Sequence, residues 1–189
     1  MTMLTRWEII RRLRGRNVLD VGGSGYDDDA MESPVRKALN REAWQGVART
    51  VLDINPRADI VIDLNKLPLP TIEGQWDVAV LFDMLEHVKH PAAILDWVPC
   101  REAWVNLPAA TPDMHKVERE MQKQFPEFQH IFGWTLLAGA NLCRQCGWKI
   151  MESSYNFDYQ SWRGHLFSAA WASRFPRWYA HGCFYRCVR

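Results

Sequence analysis

The chain has 189 residues, a formal net charge of +1, five cysteines and ten tryptophans. That length suits one domain with one substantial core, expected over residues 1–189, and a near-neutral balance lacks the strongly basic character by which nucleic-acid binding usually shows. No apolar run approaches the roughly 20 residues that cross a bilayer. Residues 1–16 mix Leu4, Trp7, Ile9, Ile10 and Leu13 with five arginines, and read as an amphipathic helix rather than a signal peptide. Without a signal peptide, the cysteines read as free thiols in a reducing cytoplasm.

Three hydrophobic runs follow, each ending in polar or small residues: NVLDVGGSGY, ARTVLDINP and WDVAVLFDMLEHVKHP. Strands buried on both faces read as unbroken apolar sequence. The patterning predicts a strand over 18–21, a turn over 22–25 and a helix over 29–44 that ends near Gly46. A second strand spans 47–53, a short third 59–63 and a fourth 76–82. A short helix over 94–98 leads to a fifth strand over 102–107. Thr111-Pro112 then offers an N-cap with proline at the first helical position, and another helix starts at Thr135 and ends at Gly147. Two closing strands, 148–153 and 183–188, are expected to pair antiparallel, with 155–181 inserted between them as a lid. Strands joined by helical crossovers pair in parallel. The expected fold is therefore α/β, a Rossmann-like, mostly parallel sheet of about seven strands with helices on both faces and the last strand antiparallel.

In open sheets of this kind, ligands bind in the crevice outside the carboxyl ends of the strands. Asp20 lies at the end of the first strand, and Gly22, Gly23 and Gly25 form the turn, where a ligand can approach the backbone closely. Asp53 closes the second strand, placed to accept hydrogen bonds from both hydroxyls of a ribose. The acids Asp27, Asp28 and Asp29 follow the turn immediately. A dinucleotide would bring its diphosphate against them, and like charges about 4 Å apart repel by roughly 4 kcal/mol per pair before screening. S-adenosylmethionine has no phosphate and carries cationic sulfonium and ammonium groups, so Asp20 and the acidic loop favour it over a nicotinamide dinucleotide. The alternative for Asp27–Asp29 is three solvated acids at a helix start.

These segments resemble, in order, the motifs of the class I S-adenosylmethionine-dependent methyltransferases, and within them the small-molecule, ubiquinone-biosynthesis-type O-methyltransferase-like group. NVLDVGGSG is similar to the glycine motif, VLDINP to the ribose-binding strand end and VIDLNKLPLP to the adenine-contacting segment. WDVAVLFDMLEHVKHP carries the Leu-Glu-His signature of the fourth motif, and VNLPAATPDMH resembles the fifth strand with its loop. The resemblance covers 17–150 and implies a methyl transfer to a small-molecule acceptor, at oxygen in this group. It places Gly22 and its neighbours against the methionine part of the cofactor and Asp53 on the ribose, with Asp63 and Leu64 flanking the adenine and Phe82 closing over it. The alternative for Phe82 is a core aromatic. His87, after the fourth strand, and His130, in the family's substrate wall, are the candidate bases, since an unperturbed histidine titrates near 6.5. The alternative for His87 is a hydrogen bond at a helix start.

The sequence departs from the family at Ser24 and Tyr26, where glycines are usual. This motivates a rival reading, an inactive binding or partner protein of the same fold. Cys143-x-x-Cys146 and Cys183-x-x-x-Cys187 have the arithmetic of a four-thiolate zinc site, with core packing as the default and no metal expected. The segment 161–179 interleaves Trp162, Phe167, Trp171, Phe175 and Trp178 with arginines. It reads as a lid packed on the sheet edge, the alternative being a peripheral contact with a membrane or lipid-like substrate. Oligomeric state is left open.

Overall fold

The apolar runs of the sequence become neighbouring strands of one eight-stranded sheet, seen in a computed structural model that describes residues 3–23, 34–108, 134–156 and 182–189. In chain order the strands are β1 (Met3–Leu4), β2 (Asn17–Val21), β3 (Ala48–Asp53), β4 (Ile60–Val61), β5 (Val78–Phe82), β6 (Glu102–Pro108), β7 (Lys149–Asn156) and β8 (Gly182–Val188). Their spatial order is β1-β7-β8-β6-β5-β2-β3-β4, with β8 antiparallel to both of its neighbours and every other pair parallel. The helices are α1 (Arg6–Arg12), α2 (Pro34–Ala43), α3 (Pro91–Trp97) and α4 (Leu136–Gln145).

Alternation along the strands divides the core into two layers. On one face Val18, Val78, Val80, Phe82 and Phe184 meet Trp7, Ile9 and Ile10 from the first helix, Leu13 at its C-cap and Ala43 from the second. On the other, Leu19, Val21, Ala79, Leu81 and Val105 meet Ile94 and Leu95 of α3 and Ala140 and Cys143 of α4. All five residues of β5 are buried, as a strand covered on both faces requires. The expected fold class is thus the observed one.

The differences lie at the elements' ends. The N-terminal helix occupies only Arg6–Arg12, because Thr5 caps it: its hydroxyl accepts the Glu8 N–H at 3.2 Å while the Glu8 carboxylate accepts the Thr5 N–H at 2.7 Å. Ahead of that cap, Met3–Leu4 adds a short edge strand to β7, which periodicity cannot show in two residues. The helix α3 starts three residues before its expected position, with Pro91 in its first turn. Thr135 caps α4 through the Ala138 N–H at 3.1 Å, as expected. The five cysteines are buried and free, and no group of three or more ligating residues among the described residues could hold a metal. Cys143 and Cys187 instead interact with each other across the α4–β8 contact, and Cys146 lies 3.7 Å from the Ala92 carbonyl. Their burial is that of core residues, the default reading of these cysteines. No helix among the described residues is long and apolar enough to cross a membrane. The expected helix after Thr111 and the lid over 155–181 lie outside the described residues, apart from the end of β7.

Candidate functional site

The sheet has its topological switch point beside β2, where the chain leaves for β3 on one side and β5 on the other. A crevice forms at such a point outside the strands' carboxyl ends. Here those ends are Gly22 and Gly23 after β2, Asp53 at the end of β3 and Asp83 after β5.

Gly22 adopts φ +78°, and its N–H donates to the Leu52 carbonyl at 2.7 Å. A Cβ there would lie 2.7 Å from the Cβ of Met84, so the turn and the segment after β5 meet without space for a side chain. At Gly23 the position of a Cβ is already taken by the Asp20 carboxylate. Asp20 is not an open negative charge: Arg49 on β3 donates to its Oδ2 from Nε at 2.7 Å and approaches the same oxygen with Nη2 at 2.6 Å. The same Nη2 donates to the Gly23 carbonyl at 3.0 Å, and the guanidinium lies 4.4 Å from the centre of the Trp44 ring. The pair is largely buried, with side chains 15% and 6% exposed, and removing one partner of such a pair typically costs about 3–5 kcal/mol. The electrostatic preference expected of Asp20 is thus met inside the protein.

At the end of β3, Asp53 is half-buried and its Oδ1 accepts the Asn55 N–H at 3.1 Å, which turns the chain there. Ile54, next to it, is 63% exposed. Asp63 repeats the motif, accepting the Asn65 N–H at 3.0 Å with Lys66 at 3.5 Å, and Leu64 is buried beneath it. The Asn65 side chain accepts the Lys89 N–H at 2.8 Å, which ties the Asp63 segment to the one that follows β5. Gly22, Asp53, Asp63 and Leu64 thus converge on one end of the sheet.

Phe82 is buried, its ring edge-on to Phe184 with centroids 5.6 Å apart and Arg6 5.6 Å from its centre. Its ring belongs to the core on the α1 face, the alternative weighed for it. The residue after it, Asp83, is the one non-glycine with positive φ among the described residues, at +50°. The Asn106 amide of β6 donates to its carboxylate, and Arg6 of α1 stands 3.9 Å away. Two elements, β6 and α1, therefore hold one strained, partly exposed acid at the crevice, and backbone strain of this kind clusters at functional sites.

A single 3-10 turn, Leu85–His87, then carries the Leu-Glu-His signature. Glu86 is 1% exposed, and its Oε2 has no hydrogen-bond partner among the described residues. Burial raises its pKa well above the ordinary carboxylate range, and the nearby Asp83 charge raises it further. His87 is more open, with Nε2 3.9 Å from the Glu86 carboxyl. Gly25 and His130 lie outside the described residues, as do Ser24 and Tyr26. Sequence reasoning missed Arg49, Asp83, Arg6 and Asn106. Arginine near the start of the run ARTVLD and an acid directly after the strand that became β5 were the available signals.

No family model matches the chain, and no curated protein does. Solved structures do. An S-adenosylmethionine-dependent methyltransferase from Mesorhizobium loti superposes with a TM-score of 0.56 at 18% identity, covering 97% of each chain. The 1,6-didemethyltoxoflavin-N1-methyltransferase of Burkholderia thailandensis, solved with its substrate and S-adenosylhomocysteine, gives 0.56 at 13% identity over 97% of this chain and 76% of that one. Magnesium protoporphyrin IX methyltransferase from Synechocystis gives 0.50 at 14% identity, covering 94% and 75%. At these identities the likeness defines the fold, which is that of the class I methyltransferases.

Proposed function

We propose that this chain is an S-adenosylmethionine-dependent methyltransferase acting on a small-molecule acceptor, at oxygen. The observation that carries the reading is the convergence of a Cβ-intolerant glycine turn, a ribose-height acid and the Asp63-Leu64 segment at the switch point of a methyltransferase-type sheet. That cradle suits an adenosyl ligand without phosphates. In this reading Gly22, Gly23 and Gly25 receive the amino-acid half, with Asp20 supporting their turn; Asp53 accepts from the ribose, and Asp63 and Leu64 flank the adenine. Phe82 supports the floor from the core. When bound, the cofactor supplies a methyl group on a cationic sulfur, open to in-line displacement. The protein's task is then to align the acceptor and take its proton. His87 is assigned that proton, with the buried Glu86 carboxyl beside it orienting the ring, and His130 is the second candidate.

Calorimetry with S-adenosylhomocysteine tests the reading directly. Binding in the micromolar range is expected, and no binding at millimolar concentration overturns it. Transfer from labelled donor across a metabolite panel then separates an enzyme from a binding protein. Label appearing at nitrogen rather than oxygen corrects the acceptor atom, and activity surviving both His87→Ala and His130→Ala leaves alignment alone as the mechanism.

A further inference from the structure

Arg49, the second residue of β3, has a largely buried side chain, 15% exposed, and this requires explanation, because its charge leaves water only where matched partners replace it. Arg49 lies across from Val18 in the register of β3 and β2, on the same sheet face as Asp20. From there its guanidinium engages two parts of the glycine turn at once, the Asp20 carboxylate at 2.6–2.7 Å and the Gly23 carbonyl at 3.0 Å, with Trp44 flanking its plane. Because the Asp20 carboxylate fills the space of a Gly23 side chain, the acid is part of the turn's interior. The arginine therefore grips the turn from the neighbouring strand. Asp53 stands four residues further along β3, about 13 Å away at the usual rise of a strand.

We propose that Arg49 is a positioning residue: it holds the Gly22-Gly23 backbone in the shape that receives the amino-acid half of the cofactor, and it acts on that half alone. Asp20 then serves as the arginine's anchor, its charge spent within the protein rather than offered to the ligand. The inference rests on the cofactor reading above.

Adenosine and S-adenosylhomocysteine separate the two halves of the ligand. Both are titrated into the wild-type protein, Arg49→Met, the charge-neutral pair Asp20→Asn/Arg49→Met, and Asp53→Ala. Arg49→Met should lose about tenfold or more in S-adenosylhomocysteine affinity, the range of a lost charged hydrogen bond, while adenosine affinity stays within about twofold. Asp53→Ala should weaken both ligands. If Arg49→Met fails to fold because Asp20 is left buried and unpaired, the neutral pair carries the same expectation. Unchanged S-adenosylhomocysteine affinity, or equal loss of both ligands, overturns the assignment of Arg49. A wild-type protein that binds neither ligand overturns the cofactor reading itself, and the inference with it.

Discussion

Glu86 and Glu102 show how the same side chain acquires opposite electrostatics from its surroundings. Burial pushes Glu102 up, but hydrogen bonds from Arg16 at 3.0 Å and Arg186 at 2.9 Å outweigh it and leave the group below its ordinary value. Its contribution to stability is present above the unfolded pKa and lost as the pH falls through the folded one. Glu86 has no arginine partner among the described residues, and burial followed by the Asp83 charge raises it against the pull of a backbone hydrogen bond. Between the unfolded value of 4.5 and the raised folded value, the native state holds a proton that the unfolded state has released, so stability falls as the pH rises. Glu86→Gln should abolish that decline. Melting temperatures across pH are expected to coincide for the two proteins near the unfolded pKa and to favour the variant at about pH 8. Parallel profiles would mean that Glu86 is ionised in the folded state. Asp20, Asp53 and Asp63 were legible as strand-end acids because position along an apolar run is a property of sequence. Their partners were less so: Arg49 is 29 residues from Asp20, and Asn106 is 23 from Asp83.

Among the elements, α1 gives the clearest case of a surface-like sequence made structural. Its arginines suggested a solvated face, yet Arg6 is buried and reaches Asp83, while Trp7, Ile9 and Ile10 fill the layer under β2 and β5. The first helix thereby joins the core to the Asp83 side of the crevice. Ile10, fully buried, should cost about 2–5 kcal/mol as Ile10→Ala, the usual range for a cavity of that size. Leu137, 67% exposed on α4, should change stability by less than about 0.5 kcal/mol as Leu137→Ala. Denaturant unfolding of the two variants checks the pair, and similar losses would mean that α1 does not pack as described. The short strands β1 and β4 escaped or shrank from their expected lengths, since two paired residues leave no period to read.

For the molecule as a whole, the position of β8 decides the architecture. It inserts antiparallel between β6 and β7, so the last strand in sequence becomes interior in the sheet and closes the core around Phe184 and Tyr185. All five thiols are sealed within this assembly. Burial pushes Cys100, Cys146 and Cys183 up to about 11, which removes the reactive thiolate as well as the access. An aromatic disulfide reagent is expected to show no fast phase with the native protein and to titrate five thiols once it is unfolded. A thiol that reacts at once in the native protein would mean that this part of the core is open.

The order of strands, their parallel pairing and the acids and glycines at their ends were encoded locally, because hydropathy and turn chemistry act over neighbouring residues. That was enough to indicate a mostly parallel sheet of the nucleotide-binding kind and the end at which a ligand is expected, while the methyltransferase reading came from the resemblance of the motifs. Where those groups find their partners is a different matter. It depends on burial and on partners brought from other elements: Arg49 onto Asp20, Arg6 and Asn106 onto Asp83, and the core around Glu86. Electrostatic energy depends on distance and on the loss of water, and both exist only once the chain has folded.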